Sequence, residues 1–352
     1  VIQARSAATA AWLNLLPHLT SNLIWRAPLP SYVSVIATLQ GLTPFLLPNW
    51  WLDAKISSLQ TKVTQDSLSI MQADLASTIE QLFYAYERDS KVLCAYQKVS
   101  TNTLNFSEIQ NWIQPLQSNL EQVLKRDRYA ISLALGKHNP EAVAAISLDG
   151  EVESLQQAMP ISEKALADRA RRRSFELDQL DYLIQISKIK TLELYFTWLD
   201  PSGDQRVGLG FNLIGQTRGA RSQTEELKIQ KEQTEAVIYK NAYLISLEYN
   251  TALNLSKNFK SQEQIESTWQ KIEQDLKPGK AQESALADSF KALVQSYLSD
   301  VTQYETQLAA FRVARAKKDR LLLEGHFEDL LPQLPSLNLE PTPIAPTKSP
   351  PL

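Results

Sequence analysis

The sequence predicts a mainly α chain with a small β part, built twice from one unit: a helix, a β-hairpin and a long helical hairpin. Three observations carry this. Long windows lack both Gly and Pro, Trp50–Val99 being the clearest, and at about 1.5 Å per residue such a window makes a rod of roughly 75 Å. Short segments alternate apolar and polar residues with period two, as strands with one greasy face do. The whole order then recurs in the second half of the chain, which marks an internal duplication.

The stretch Arg206–Phe259 shows the joint between the two periods. Val207, Leu209, Phe211 and Leu213 alternate with Arg206, Gly208, Gly210 and Asn212. After Gly215–Gly219 comes a long run rich in Glu, Lys, Gln, Leu and Ala, which predicts a helix over about 217–275. A compact globular domain has no need of a strand that feeds so long a helix.

In chain order, residues 2–16 predict the end of a helix, broken by Pro17. His18–Ala27 and Ser31–Gln40 flank a turn at Pro28 and Pro30, a hairpin whose strands are long enough to cross a bilayer when tilted. Pro48 suits the first turn of the next helix. Within that helix Leu75, Ile79, Leu82, Tyr86, Asp89, Leu93 and Tyr96 recur at alternating four and three spacing, a coiled-coil seam. Ser100–Phe106 predicts the first tip, Ser107 an N-cap, Pro115 a kink or a delayed start, and Gly136 the C-terminal stop. Residues 137–160 read as a linker, and Ser162 caps a helix over Glu163–Lys190. Leu192, Leu194, Phe196 and Trp198 then alternate with Thr191, Glu193, Tyr195 and Thr197, and Asp200–Asp204 is a turn. Lys277–Lys280 is the second tip, and Gln282–Leu323 returns with Leu286, Phe290, Leu293, Tyr297, Tyr304, Leu308 and Phe311 on one face. The units are residues 1–160, with strands at about 18–40 and a helical hairpin at about 50–136, and 161–331, with strands at about 191–213 and a helical hairpin at about 217–323. Residues 332–352 hold seven prolines and predict a disordered tail.

Composition excludes several classes. The net charge of −3 implies no general affinity for nucleic acid or anionic lipid. No apolar run approaches the eighteen or so residues of a transmembrane helix. Cys94 is the only cysteine, so there is no intramolecular disulfide and no cysteine metal cluster; its helical apolar context predicts a buried thiol. His18, His138 and His326 lie in different elements and predict no metal site. The nucleotide, zinc-protease and nucleophile-elbow signatures are missing, so the chain is expected to be no enzyme and to need no cofactor. It begins at Val1 rather than Met, so no targeting signal is read from it.

The layout resembles the TolC-type outer membrane efflux proteins over nearly all of residues 1–330. The resemblance rests on Ala4-Arg5, Leu16–Leu19, Leu39–Leu47 running into Trp51 and Ala54, Leu104–Ile109, Ser132–Gly136, Arg173–Leu177 and Gly208–Arg218, in that order and in duplicate. It implies a homotrimer with a twelve-stranded β-barrel continued by an α-helical coiled-coil tunnel. It implies a site in the outer membrane of a Gram-negative bacterium, and a passive exit duct for efflux or type I secretion. Its partners are then a periplasmic adaptor, an inner-membrane transporter and outer-membrane lipid, with no nucleic acid. A TolC-like scaffolding protein without transport is the alternative. The chain departs from the family pattern at the tips, where Thr103 stands in place of a Gly, and both long hairpins are shorter than usual. Independently of the resemblance, four strands with a greasy face leave open edges that lipid does not tolerate, so the chain needs partners.

From these readings come the expected sites. Leu192, Leu194, Phe196, Val207, Leu209 and Phe211 are expected to face lipid, with Glu193, Thr197 and Arg206 toward the lumen. Trp25, Tyr32 and Trp198 lie near the hairpin turns, as an aromatic belt or as core. Leu104, Phe106, Ser107 and Gly279 mark the tips where an adaptor docks in the family. Glu108, Lys277, Lys280, Glu283 and Asp288 lie near the tips, as solvated charges or as a pore-mouth gate. Arg171, Arg172 and Arg173 are either a solvated helix face or a basic ring.

Overall fold

A computed structural model describes residues 2–13, 48–103, 106–137, 155, 157–199, 210–275 and 284–330. The expected first hairpin with its strands at 18–40, the second turn at 200–204 and the Pro-rich tail all lie outside the described residues. The described elements are α1 (Ile2–Leu13), α2 (Pro48–Asn102), α3 (Ser107–Ala134), α4 (Glu163–Arg173), α5 (Phe175–Leu199), α6 (Gly210–Asn258), α7 (Gln262–Asp275), α8 (Ser284–Leu322) and a 3₁₀ segment (Gly325–Leu330).

The long helices pack side by side as rods. α2 and α3 form the first antiparallel hairpin, tied by Arg128 Nε donating to the Tyr86 hydroxyl at 2.9 Å. α6 and α7 descend and α8 returns as the second; Lys317 meets Glu248 at 2.7 Å and Ser256 donates to the Gln307 carbonyl at 3.1 Å. The hairpins join through α2 and α8, whose contacts pass from Val99 with Tyr297 and Val294 up to Ala73 with Leu323. Further up, α5 lies between α2 and α6. Its Gln179 donates to Ser67 on α2 at 2.6 Å, and its Asp181 and Ser187 meet Lys231 and Thr224 on α6 at 2.7 and 2.8 Å.

Several predicted boundaries shift, each for a local reason. α2 does begin at Pro48, and Gly136 stops α3 with φ +66°, a left-handed conformation that glycine takes without steric cost. Ser107 is not the cap of α3: the helix starts at Ser107 itself, with Phe106 before it. Pro115 neither breaks nor delays α3; it is exposed, and so is Asn111, whose carbonyl loses its partner and can be hydrated. The helix expected over 163–190 is two helices. Ser174 ends α4, and its hydroxyl accepts from the Leu177 amide at 3.3 Å to cap α5. The helix expected over 217–275 is also two. Ser261 and Gln264 bond reciprocally, side chain to backbone, at 3.0 and 3.3 Å, a capping box that opens α7.

The largest departure concerns the second predicted hairpin. Residues 191–199 are the last part of α5, and 210–213 the first turn of α6. Leu192, Leu194, Phe196 and Trp198 are thus on a helix, as is Phe211, while Val207 and Leu209 lie outside the described residues. A helix satisfies its backbone groups within its own segment, whereas a strand needs a neighbour on each side. One chain does not supply those neighbours, and Leu, Glu and Phe at these positions permit either state. Cys94 also corrects its expectation: it is exposed. It points away from the buried side of α2, marked by Val92, Ala95 and Val99.

Candidate functional site

The two tips meet. The helices leading into them share one apolar cluster: Ala95 and Val99 from α2, Ile109 and Ile113 from α3, Ile265, Trp269 and Ile272 from α7, and Phe290, Val294, Tyr297 and Leu298 from α8. Phe106 packs on its edge, 5.2 Å from Phe290 between ring centroids. The Trp269 ring lies 5.2 Å from Tyr297 and beneath the Lys98 ammonium, 4.4 Å from its centroid. Its indole N–H donates to Glu273. Burial, then the Glu266 and Glu273 charges, push the Tyr297 hydroxyl up to about 12, so it is neutral at any physiological pH.

A polar clasp closes the first tip. The Gln110 side chain donates to the Ser100 carbonyl at 2.6 Å and to Thr103 Oγ1 at 3.3 Å, and accepts from the Ser100 hydroxyl at 2.9 Å. Thr103, fully buried, donates to the Val99 carbonyl at 2.8 Å. The sequence reading missed Gln110. Its signal was a polar residue one turn into a helix directly after a Ser/Thr-rich turn.

Midway up, α2 and α8 are joined by charge. Arg312 meets Glu87 at 2.6 Å, and Lys91 lies 2.8 Å from Glu87 and 3.8 Å from Glu305. Burial works against the Glu87 carboxylate, but bonds from Lys91 and Arg312 outweigh it and hold its pKa low. Glu305 is pushed up, chiefly by burial. Apolar packing lies above and below this layer, so it fixes the register in which the hairpins meet.

Around the same waist runs a belt from the linker and α4. The Asn250 amide donates to the Ile161 carbonyl and accepts from its N–H, both at 2.9 Å, and Lys257 donates to the Ala158 carbonyl at 2.6 Å. A cleft of about 350 Å³ opens beside the belt, lined by Asp74, Arg173, Glu176, Asn241, Lys317 and Arg320 among others. Arg320 binds Asp74 at 2.8 Å and Glu176 at 3.2 Å. Burial opposes the Glu176 carboxylate, yet the Ser174 hydroxyl and Arg320 hold its pKa below the usual range. That contribution is present above the unfolded carboxyl's value and is lost as pH falls through the lower folded value. The arginine run divides. Arg173 donates to the Leu322 carbonyl at 3.2 Å and approaches Glu324, Arg171 meets Glu235 at 3.3 Å, and Arg172 is exposed. Arg171 and Arg173 therefore tie α4 to its neighbours.

Of the expected site residues, Ser107 and Glu108 are exposed in the first turn of α3, and Phe106 is half-buried. Leu104, Gly279, Lys277, Lys280 and Glu283 lie outside the described residues, as do Trp25 and Tyr32. Asp288 belongs to α8. Among the described residues no group of three or more His, Cys, Asp or Glu is placed to hold a metal ion, and no helix is long and apolar enough to cross a membrane.

Apolar surface is left uncovered in two places. On α6, Ile229, Val237, Leu244, Leu247 and Leu255 are each 43–53% exposed. At 3.6 residues per turn they fall within an arc of about 80°. On α2, Leu68, Met71 and Leu75 are 44–70% exposed. These three continue the upper end of the predicted coiled-coil seam, and Tyr129 and Leu133 of α3 are also exposed.

No protein-family model matches the chain, and no curated protein matches it. Solved structures do. One is a membrane protein from Pseudomonas aeruginosa, 10% identical, with a TM-score of 0.58 over 78% of this chain and 71% of that one. Another is the outer-membrane channel OprN, 13% identical, with a TM-score of 0.56 over 79% of this chain and 72% of that one. At such identities the likeness is one of fold. The described helices share the fold of an outer-membrane channel, and the resemblance to the TolC-type outer membrane efflux proteins read from the sequence holds at that level.

Proposed function

We propose that the chain is one subunit of a homotrimeric exit duct in the outer membrane of a Gram-negative bacterium. The observation that carries this is the fold it shares with the outer-membrane channel OprN, long rods joined at one end. The duct is passive and has no enzymatic step. Its energy comes from an inner-membrane transporter, reached through a periplasmic adaptor that meets the tips at Leu104, Phe106, Ser107 and Gly279.

The uncovered apolar faces support self-assembly. The two faces belong to different helices, α2 and α6, each of which packs against α5 and α8. Faces so placed suit a head-to-tail contact, which closes into a ring when the rotation allows. In lipid the two predicted hairpins of each of three chains would pair into twelve strands, and α5 would exchange its last helical turns for that pairing. Spin labels at Glu193 and Leu194 in liposomes test it. Water at the first and lipid at the second is expected of a strand, whereas labels that both report one helical face would remove the barrel.

Mass measurement in detergent should give three chains, and the trimer should conduct in a planar bilayer. Within one chain the helices leading into the tips are held by apolar packing, so a gate that opens must work between copies. Exposed polar and ionic contacts serve there, at about 0–1 kcal/mol each. Neutralising Glu108, Lys277, Lys280, Glu283 and Asp288 together is expected to raise conductance, while single changes do little. A trimer that never conducts would turn the reading toward a scaffold. A conducting trimer unmoved by the combined variant would place the constriction higher in the tunnel.

A further inference from the structure

α2 and α5 pack along a seam that is apolar at Ile56, Leu59, Ile186 and Ile189. Asp66 interrupts the buried side of α2 one turn beyond that seam. It is only 7% exposed, and its Oδ2 has no hydrogen-bond partner. The charge that bears on it from α5 is Asp178, of the same sign. The nearby cations are otherwise engaged. Lys62, one turn back on α2, sits 5.2 Å from the Tyr182 ring centroid, and Lys231 on α6 is paired with Asp181 at 2.7 Å. α1 and the 3₁₀ segment also touch α2; they bring Arg5 and Glu328, both exposed.

A buried carboxylate with one oxygen lacking a donor and a like charge opposite is costly, and a carboxyl relieves that cost by holding a proton. We propose that Asp66 makes the α2–α5 seam proton-sensitive: protonated, it lets the two helices close, and ionised, it repels Asp178 and loosens them. Burial first, and then Asp178, push the Asp66 carboxyl up to about 6, with Lys62 pulling the other way. Asp178 is itself raised, by burial and by Asp181. The sign follows from proton binding. Between the ordinary carboxyl value of 3.8 and about 6 the folded chain holds a proton that the unfolded chain has released. The seam therefore weakens as pH rises through that window and is level above it. In sequence α2 follows the first predicted β-hairpin and α5 leads into the second, so the device sits where the two halves are held together. It is independent of whether the chain is a duct.

The test compares the full chain with Asp66→Asn by thermal unfolding between pH 3 and 8. The two should melt alike at pH 3, below the window. At pH 8 Asp66→Asn should melt higher by about 3 °C or more, a shift that corresponds to roughly 2 kcal/mol in a chain of this size. Half of that difference should appear near pH 5, midway through the window. Asp178→Asn removes the opposing charge, so it should also melt higher at pH 8 and should move the wild-type transition to lower pH. A second readout is specific to the seam. Spin labels at Lys55→Cys and Lys190→Cys, in a Cys94→Ser background, should give a narrow distance distribution at pH 5 and a broader one at pH 8, and the broadening should vanish in Asp66→Asn. A pH-independent difference between wild type and Asp66→Asn, or a label distance that ignores pH, overturns the proposal. Should Asp66→Asn fail to fold, Asp178→Asn and the labelled wild type decide in its place.

Discussion

Trp269→Ala should detach the two tips from each other while the upper rods stay folded. The indole is 1% exposed and stands at the centre of the cluster shared by α2, α3, α7 and α8. Removing a buried Trp costs about 3–5 kcal/mol, since the transfer energy is lost and a cavity remains. Here the loss extends to the stacking on Tyr297 and to the cation above the ring, and it leaves Glu273 without its indole donor. Of the α7 residues in this cluster, Ile265 and Ile272 then remain, so α7 loses the largest of its apolar anchors. Amide exchange should rise steeply in α7 and in α2 beyond Val92, and should change little in α4 and α5. Local opening of this kind draws only on the contacts of the unit that opens. Should exchange rise evenly along the chain, the tip is no separate unit. No rise at all would mean that the cluster does not hold the hairpins together.

That cluster was half legible in the sequence. The spacing of Phe290, Leu293, Tyr297, Tyr304, Leu308 and Phe311 gave α8 its buried face, because a helix-period pattern needs no tertiary knowledge. On α2 the same reading succeeded at its lower end, where Leu93 is buried, and failed higher up, where Leu75 is half exposed. The pattern identifies a face that wants cover and does not name what covers it. Trp269 went unnoticed because its stretch was read as part of one long helix. The Ser261–Gln264 capping box, which divides α6 from α7, was legible and was not used. Ser174, followed by acidic residues in the first turn of α5, was a similar signal.

The stretch expected as the first strand of the second hairpin, 191–198, is helical in the single chain for a different reason. Alternation in Leu192–Trp198 is a statement about two faces, lipid and lumen, and neither face exists for a single chain. The backbone of α5 meets its own hydrogen-bond needs as far as Leu199. Polar partners across helices were the least legible part. Asp66, Glu87 and Arg312 belong to sites that are assembled from residues far apart in sequence, and no local pattern announces them.

Leu244→Lys combined with Leu247→Lys should abolish assembly and leave the single chain folded. Both residues lie on the uncovered stripe of α6, at 43% and 50% exposure. Within one chain they therefore cover little, and changing them costs the subunit little. In the proposed ring each would be buried against a neighbour. Burying a Leu fully is worth about 1.5–3 kcal/mol, so two lost at a contact remove roughly 3–6 kcal/mol. Two ammonium groups then enter a face whose apolar neighbours, Val237 and Leu255, offer no counter-charge. A closed ring repeats the defect at every contact, so the loss multiplies with each copy. Light scattering in detergent should show monomers where the parent shows trimers, with helical content unchanged by circular dichroism. The control is Lys228→Leu, on the same helix but paired with Glu225 at 2.7 Å, which should leave the mass as it was. Trimers that survive the double change would mean that α6 faces solvent in the assembly, and the contact between copies would then have to run through α2 and α3 alone.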